Sequence, residues 1–218
     1  MQGKSLTEGK PWKLILLFAL PLMAGSLLQQ LYSTADTIIV GLYDGEAALS
    51  AVGTCSSLTM FFLAIAQGFS IGAGIITARP YGAKNLDDLR SKAYTALVLL
   101  LIMGAASMAT GLIFSRYILL DLRAFPESLL DMAATYFWIY SLGMVFQFGY
   151  NIIAALLRSI GDSKASLYFL LISSVVNIGL DLLFVIIFHW GVTGVAIATV
   201  ISQMCAFIAS LAYMRKKY

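Results

Sequence analysis

The stretch "PLMAGSLLQQLYSTADTIIVGL" (residues 21–42) places a carboxylate, Asp36, inside a segment that is otherwise apolar or weakly polar. The segment is long enough to cross a bilayer, which takes about 20 apolar residues. An ionised Asp in hydrocarbon costs on the order of 3 kcal/mol by insertion scales. A chain keeps such a residue when a partner compensates its charge or when the charge is used. The stretch therefore predicts a membrane-spanning helix that carries a polar site.

The whole chain has a composition that needs lipid as its solvent. Of its 218 residues 60% are hydrophobic and 11% are charged, and the mean hydropathy is +0.88. A soluble domain carries about 25% charged residues. We predict an all-α membrane protein that forms a single unit over residues 1–218, since no linker divides it. Its six transmembrane helices are predicted near residues 12–42, 47–78, 90–114, 129–157, 165–188 and 192–214.

The distribution of basic residues predicts the orientation of the spans. With six spans, Arg116 and Arg123 lie on one side, and the other twelve of the 14 Lys and Arg residues lie on the opposite side. The side with more Lys and Arg is cytoplasmic by the positive-inside rule. Both termini are therefore predicted to be cytoplasmic. Because the basic residues are spread over several short loops rather than one face, nucleic acid is not an expected partner.

Motifs that would indicate an enzyme or a bound cofactor are absent from the sequence. There is no GxxxxGK[ST] phosphate loop, no GxSxG and no HExxH, so none of these routes to catalysis is available. The single histidine, His189, makes no metal site alone. We expect no enzymatic activity and no cofactor other than a transported coupling ion.

The two acids within predicted spans, Asp36 and Asp181, lie at similar depths. Counting from the predicted outer helix ends, each is about 10 Å inside the external surface at a rise of roughly 1.5 Å per residue. Thr199 and Tyr136 fall at a similar depth on helices six and four. Two carboxyl groups, a hydroxyl and a phenol are thus expected in one layer of the outer half of the bundle.

Two further polar side chains lie one helical turn from these acids. Asn177 shares a face with Asp181, and Tyr32 shares a face with Asp36. Two carboxyl groups held close in a low dielectric favour sharing a proton, and oxygen ligands without thiolates suit a hard cation such as Na⁺. We predict a site for H⁺ or Na⁺ at Asp36 and Asp181. The alternative is that each Asp is protonated or hydrogen-bonded and only links helices.

Further polar residues are candidates for the lining of an aqueous cavity: Tyr32, Gln30, Asn151 and Gln203. Each could equally form an interhelical hydrogen bond. Pro21 lies inside the first predicted helix, where the missing N–H and the ring favour a kink, so we predict a hinge there. Pro80 is expected to shorten the second helix for the same reason.

Five stretches together resemble the N-terminal half of a multidrug and toxic compound extrusion (MATE) transporter. They are "PLMAGSLLQQLYSTADTIIVG" (21–41), "YGAKNLDDLRSKAYTAL" (81–97), "YNIIAALLRSIGDSK" (150–164), "NIGLDLLF" (177–184) and "GVTGVAIATVISQ" (191–203). Each stretch alone is weak, whereas five in this order are specific. The resemblance covers almost the whole chain.

The resemblance implies a fold of two six-helix lobes around a central cavity, of which this chain is one lobe. It implies export of cationic, amphipathic drugs or metabolites in exchange for H⁺ or Na⁺ across the plasma (inner) membrane. The residues that match the family's coupling site are Asp36, Asn177, Asp181, Thr199 and Tyr136. The implied partners are the lipid bilayer, a small cationic organic substrate and a second six-helix lobe.

Two other functions remain open from the sequence. An exporter of lipid-linked sugars shares the broad fold, but it needs a strongly basic central cavity, and the predicted helix interiors carry no Lys or Arg. A non-transporting, half-size scaffold subunit is the second. The chain supplies one lobe only, so it is expected to be a fragment, a truncated reading frame or a half-size protein that pairs with another lobe.

Overall fold

The computed structural model describes residues 11–121 and 127–217, and these ranges contain helices joined by short turns, without strands. The α-helices are α1 (Pro11–Tyr43), α2 (Gly45–Gly82), α3 (Leu86–Asp121), α4 (Glu127–Ser159), α5 (Ser163–Asp181) and α6 (Gly191–Lys217). A π-helical segment, Leu182–Ile187, continues α5. The all-α prediction is confirmed for the described residues.

Five helices in the described ranges are long and apolar enough to cross a membrane. They are α2, α3, α4, α5 with its π-helical extension, and α6, and the most apolar windows have a mean hydropathy of 1.4 to 2.4. The chain is therefore a multi-pass membrane protein. The sixth span, expected in α1, and the side on which the termini lie stay predictions.

Helix α4 is the centre of the bundle. Within its most apolar window 67% of the residues are buried, against 22% in α2 and 17% in α3. The outer helices instead direct apolar side chains away from the bundle, as the exposed Leu20, Met23, Leu27 and Leu31 of α1 do. Lipid solvates such side chains as well as a core does, so exposure here carries no hydrophobic penalty.

Two apolar clusters close the two ends of the bundle. One joins the α1–α2 turn region to the ends of α3, α4 and α6, and includes Val40, Cys55, Phe137 and Val195. The other joins the opposite ends of α3, α4 and α5, and includes Leu100, Ile153, Leu157 and Ala165. Polar side chains are concentrated in the layers between these clusters.

Helix α3 is longer than the sequence predicts. It continues beyond residue 114, the predicted end of the third span, to Asp121. The stretch "SRYILLD" contains no Gly or Pro to stop it, and Leu119 is buried in the core. Residues 122–126 lie outside the described residues.

The prediction that Pro80 shortens the second helix is wrong. Helix α2 runs through Pro80 to Gly82. A proline removes only its own N–H donor. Beyond Pro80, N–H groups of the turn donate to carbonyls at the end of the helix. The Ala83 N–H donates to Arg79 O at 3.0 Å, and the Asn85 N–H donates to Pro80 O at 2.9 Å. These bonds satisfy the last carbonyls of the helix.

The α1–α2 turn holds the start of α6. Asp44 lies between the two helices, and its Oδ2 accepts a hydrogen bond from the Val192 N–H at 2.8 Å. The carboxylate packs against Gly191, whose φ of 51° is left-handed and whose missing Cβ leaves the space that the carboxylate fills. An anionic acceptor at a helix N-terminus is favourable because the first N–H groups have no partner within the helix.

The α4–α5 turn is tied to the end of α6 by Asp162. Its Oδ1 caps α5 by accepting from the Ala165 N–H. Its Oδ2 accepts from Tyr213 Oη at 2.8 Å and from Lys217 Nζ at 2.6 Å. Burial alone would raise the pKa of this carboxyl, but the hydrogen bonds from Lys217 and Tyr213 outweigh burial and hold its pKa below the ordinary value.

Asp162 should make the folded chain sensitive to acid. Because its folded-state pKa is depressed, its contribution to stability is present above the ordinary pKa of an Asp and is lost as the pH falls through the folded value. We expect Asp162→Ala to lower the free energy of unfolding at pH 7 by about 1–3 kcal/mol, from a lost cap and a lost charged hydrogen bond. Thermal unfolding of the detergent-solubilised chain at pH 7 and below pH 4 measures this. Equal losses at both pH values would contradict it.

Helices α3 and α4 approach closely at Gly104. A Cβ on this residue would lie 3.0 Å from Val145 Cα and from Phe148 Cβ. The Val145 atom belongs to the backbone of α4, which cannot move aside as the end of a flexible side chain can. We expect Gly104→Ala to destabilise the chain by about 1–3 kcal/mol through overpacking. Gly53 on α2 is the matched control, because a Cβ there meets nothing within 4 Å. Thermal unfolding of both variants in detergent checks this, and equal melting temperatures would contradict it.

Candidate functional site

The structure brings the two predicted acids together across the contact between α1 and α5. The carboxyl groups of Asp36 and Asp181 lie within hydrogen-bonding reach of each other. Asp36 is 9% exposed and Asp181 is fully buried. Asp181 is the last residue of α5, directly before the π-helical segment. Such wide turns are rare and are frequently found at functional sites.

The buried carboxyl groups of Asp36 and Asp181 require a proton or a cation to compensate them. Asp36 Oδ1 and both oxygens of Asp181 are buried, and no donor among the described residues bonds to them. An ionised carboxylate only accepts hydrogen bonds, so two ionised groups cannot bond to each other. A shared proton, a cation or water between them satisfies these oxygens, since leaving them unpaired in the interior is costly.

Asn177 lies one turn before Asp181 and extends the polar layer. Its side chain is 1% exposed, and neither its Oδ1 nor its Nδ2 has a partner among the described residues. The amide oxygen is a ligand that hard cations accept, and the amide nitrogen can donate to a carboxylate. The residue thus adds both kinds of polar atom next to the acid pair.

Thr199 and Asn177 line the same cavity from α6 and α5. The Thr199 hydroxyl donates its proton to Val195 O at 2.9 Å. Its oxygen lone pairs therefore remain available to accept a hydrogen bond or to coordinate a cation. The cavity thus offers an amide oxygen and a hydroxyl oxygen, whereas Asp36 and Asp181 do not line it; oxygen atoms of these kinds suit Na⁺ or a proton.

Tyr136 is buried on α4, and its ring stacks on Tyr140 with centroids 6.2 Å apart. Tyr136 does not line the cavity. Tyr140, which the sequence analysis missed, donates from its hydroxyl to Gln147 Oε1 at 3.0 Å. The spacing of four residues between the two tyrosines puts them on one helix face, and that spacing was the signal available in the sequence.

A cavity of about 320 Å³ lies inside the bundle between α1, α4, α5 and α6, with a few residues of α2. Six of the residues singled out from the sequence line it: Pro21, Tyr32, Asn151, Asn177, Thr199 and Gln203. Gln30 does not line it and is exposed on α1, whereas its neighbour Gln29 does. Consecutive residues of an α-helix point about 100° apart, so a single position decides which glutamine faces inward.

Gln147 is the polar centre of the α4 wall. Its side-chain oxygen accepts from Tyr140 and, at 3.5 Å, from Gln203 Nε2. Its backbone carbonyl accepts from Asn151 Nδ2 at 2.9 Å. Gln203 Oε1 and, on α2, Ser70 Oγ are buried without a partner among the described residues. Buried polar atoms of this kind are usually bonded to water or to a ligand.

Helix α5 turns its polar residues inward and its apolar residues outward. The buried ones are Ser163, Ser166, Ser174, Asn177 and Asp181. The exposed ones include Leu171, Ile172 and Val175. Only the last two of these polar residues were predicted from the sequence. The spacing of three and four residues along the stripe marks one helix face and would have revealed the serines.

Arg158 lines the cavity from the last turn of α4. Among the described residues that line the cavity it is the only one with a charged side chain. The sequence analysis counted Arg158 with the loop charges, but the structure places it in the helix. The described bundle therefore contains a polar cavity with one basic residue, Arg158, at an end. The acid pair lies one helical turn beyond two of the lining residues, Tyr32 and Asn177.

A family model described as MatE matches residues 21–183. The chain belongs to the MatE family. Among similar curated proteins of Bacillus subtilis (strain 168), "Probable multidrug resistance protein YpnP" is 33% identical over 216 residues, with 99% of this chain and 48% of the relative covered. "Probable multidrug resistance protein YoeA" is 34% identical over 218 residues, with 96% of this chain and 46% of the relative covered.

The fold is also similar to solved MatE-type structures. One is a multidrug resistance MATE family transporter of the MOP superfamily in an outward-facing conformation. The TM-score is 0.92, the sequence identity is 28%, and the match covers 100% of this chain and 48% of that chain. The chain thus spans about half the length of the relatives that it matches. The family consists of transporters rather than enzymes.

The acid pair should destabilise the folded chain. At pH 8 the folded chain must either hold two like charges close together in its interior or take up a proton that the unfolded chain does not bind, and either one costs free energy. We therefore expect Asp36→Asn to raise the melting temperature in detergent without added Na⁺ at pH 8, by about 2–4 °C for each kcal/mol relieved. Asp131→Asn is the control, since the Asp131 side chain is 82% exposed and pairs with Arg116 at 3.4 Å. A lower melting temperature of Asp36→Asn would instead mean that the two side chains form a purely structural, stabilising hydrogen bond.

Proposed function

We propose that this chain is the N-terminal lobe of a cation-coupled antiporter that exports cationic, amphipathic drugs or metabolites in exchange for H⁺ or Na⁺. The observation that carries the proposal is the buried contact between Asp36 and Asp181, in which Asp36 Oδ1 and both Asp181 oxygens find no donor among the described residues. Membership of the MatE family supports the transport of drugs. The acid pair supports coupling to a cation.

The proposed coupling step follows from charge. With both carboxylates ionised the layer carries two negative charges, and these attract H⁺ or Na⁺ as well as a cationic substrate. Binding of the coupling cation neutralises one charge, so the attraction for a cationic substrate falls. The two cations therefore compete through the same carboxylates, and competition of this kind produces exchange rather than co-transport.

The proposed movement is in α1. Asp36 is on α1, and Pro21 is in the same helix, lines the cavity and leaves one backbone carbonyl without its intrahelical donor. Neutralising Asp36 removes repulsion from Asp181 and lets the two helices approach. Bending of α1 at Pro21 would then narrow the cavity and expel a substrate, and the cation would leave toward the cytoplasm on return.

The lining of the cavity favours this function over export of lipid-linked sugars. A pyrophosphate-bearing substrate needs several basic side chains, since each phosphate is anionic. Arg158 alone supplies a positive charge among the described lining residues. The remaining polar lining is neutral, with Ser, Gln, Asn, Thr and Tyr side chains, which suits a cation near the acid pair.

The proposal places the protein in the plasma (inner) membrane, with both termini cytoplasmic and a second six-helix lobe opposite this one. An antibody to residues 1–12 on membranes of the source organism measures the native polypeptide. A band near twice the expected mass means that the second lobe is in the same chain. A band at the expected mass means that another chain supplies it, and the transport assays below then need both chains.

Coupling is tested by removing one charge at a time from the complete two-lobe transporter. We expect Asp36→Asn and Asp181→Asn each to lower ion-driven efflux of a fluorescent organic cation at least about tenfold, the equivalent of about 1.4 kcal/mol of coupling. Asp131→Asn, on the exposed start of α4, should leave efflux unchanged. The measurement is dye uptake into everted vesicles, which is the export direction, under an imposed H⁺ or Na⁺ gradient. Unchanged efflux and ion dependence in Asp36→Asn would refute the coupling role.

A further inference from the structure

A second concave surface lies between α2 and α3, on the outside of the bundle and away from the acid pair. It is a groove of about 600 Å³. Its walls are almost entirely apolar, and they include Ile65, Phe69, Ile76, Leu99 and Leu100. Phe69, Ile76 and Leu99 are exposed in the bundle. The groove is therefore open along its side to whatever surrounds the helices.

Glycines make this surface concave. Gly68 and Gly72 lie one turn apart on α2 and line the groove, and a Cβ on either would meet nothing within 4 Å. Small residues on membrane helices usually allow a second helix to approach closely. Here no helix of the described bundle fills the space beside them, so α2 and α3 diverge around an open channel.

One end of the groove is polar and lies next to a basic turn. Lys92, Ser91 and Thr95 line this end, close to the start of α3. Lys92 Nζ also bonds Asp88 Oδ2 at 2.7 Å, with both side chains partly exposed. The α2–α3 turn and its flanks carry four basic residues and two acidic ones. The basic residues are Arg79, Lys84, Arg90 and Lys92, and the acidic ones are Asp87 and Asp88. This turn is thus net positive.

We propose that the groove is a binding site for one anionic phospholipid of the leaflet that meets the α2–α3 turn. The acyl chain lies along Gly72 and Gly68 between α2 and α3, and the phosphate is bound by Lys92 and the neighbouring basic residues. Basic pockets between transmembrane helices bind anionic headgroups in this way. The site does not depend on the proposed antiport, because it shares no residue with the acid pair or its cavity.

The charge pattern favours a lipid over other occupants. An amphiphile with one anionic end and an apolar remainder matches a channel that is basic at one end and apolar along its length. Water does not fill such a channel, because the walls offer it few polar partners. A helix from a second lobe or a second copy would satisfy the apolar walls, but the net positive α2–α3 turn at the end of the groove is better matched by a phosphate.

The test uses the purified 218-residue chain in a neutral detergent, with phosphatidylglycerol and phosphatidylcholine as the probes. Native mass spectrometry counts lipids that stay bound, and thermal unfolding measures the stabilisation that they give. We expect one phosphatidylglycerol to bind at least about fivefold more tightly than phosphatidylcholine, with a higher melting temperature in its presence.

Two substitutions address the two ends of the proposed lipid. Gly72→Leu places a side chain in the channel, and its Cβ would meet nothing within 4 Å. Lys92→Gln removes the charge beside the phosphate. We expect each to abolish the preference for phosphatidylglycerol, and Lys92→Arg to retain it. Gly53→Leu is the matched control, since Gly53 also has open space at its Cβ but does not line the groove.

Three results would overturn the proposal. Equal binding of the two lipids would show that the groove has no site for an anionic headgroup. A preference for phosphatidylglycerol that persists in both Gly72→Leu and Lys92→Gln would place the lipid elsewhere on the surface. A lipid-independent dimer that dissociates in Gly72→Leu would instead assign the groove to a second copy of the chain. None of these readouts involves efflux, so they stand apart from the test of the acid pair.

Discussion

The contact between Asp36 and Asp181 is the constraint on which the rest of the bundle depends. Two buried carboxyl groups favour separation of α1 and α5 unless a proton or cation lies between them. The helices that carry them are held in other ways. Asp44 fixes the end of α1 to the start of α6, and Asp162 fixes the start of α5 to the end of α6. A site with unmet polar atoms can persist because the surrounding structure determines its geometry.

Lipid as the solvent explains why this arrangement is tolerated. In a soluble protein, burying the stripe of polar residues on α5 while exposing its Leu and Ile residues would leave no driving force for folding. In a bilayer the exposed apolar face costs nothing, and the interior is the one place where Asn177 and the serines can find water or polar partners. The polar cavity is therefore the expected centre of the bundle rather than a defect in its packing.

Apolar packing is concentrated at the two ends of the bundle. Close approach of the helix backbones to one another supplies much of this packing. Gly104 lets α3 lie against Val145 of α4, whereas Gly68 and Gly72 leave α2 apart from α3. The same residue type thus produces a tight contact in one place and an open groove in another. The difference lies in what faces the glycine, which is a property of the assembled helices.

The sequence by itself determined the class of the protein, the approximate positions of its helices apart from the far end of α3, which continues to Asp121, and the two acids of the candidate site. Hydropathy and helical rise are enough for this, because lipid solvation and a rise of about 1.5 Å per residue act on each helix separately. The tertiary structure alone decided that Gln29 rather than Gln30 faces the cavity, that Arg158 lines it, and that Tyr140 joins Tyr136 on the α4 wall. It also decided the π-helical turn after Asp181. These features depend on the rotation of each helix about its axis, which packing against neighbouring helices sets and which the hydropathy of a single segment does not contain.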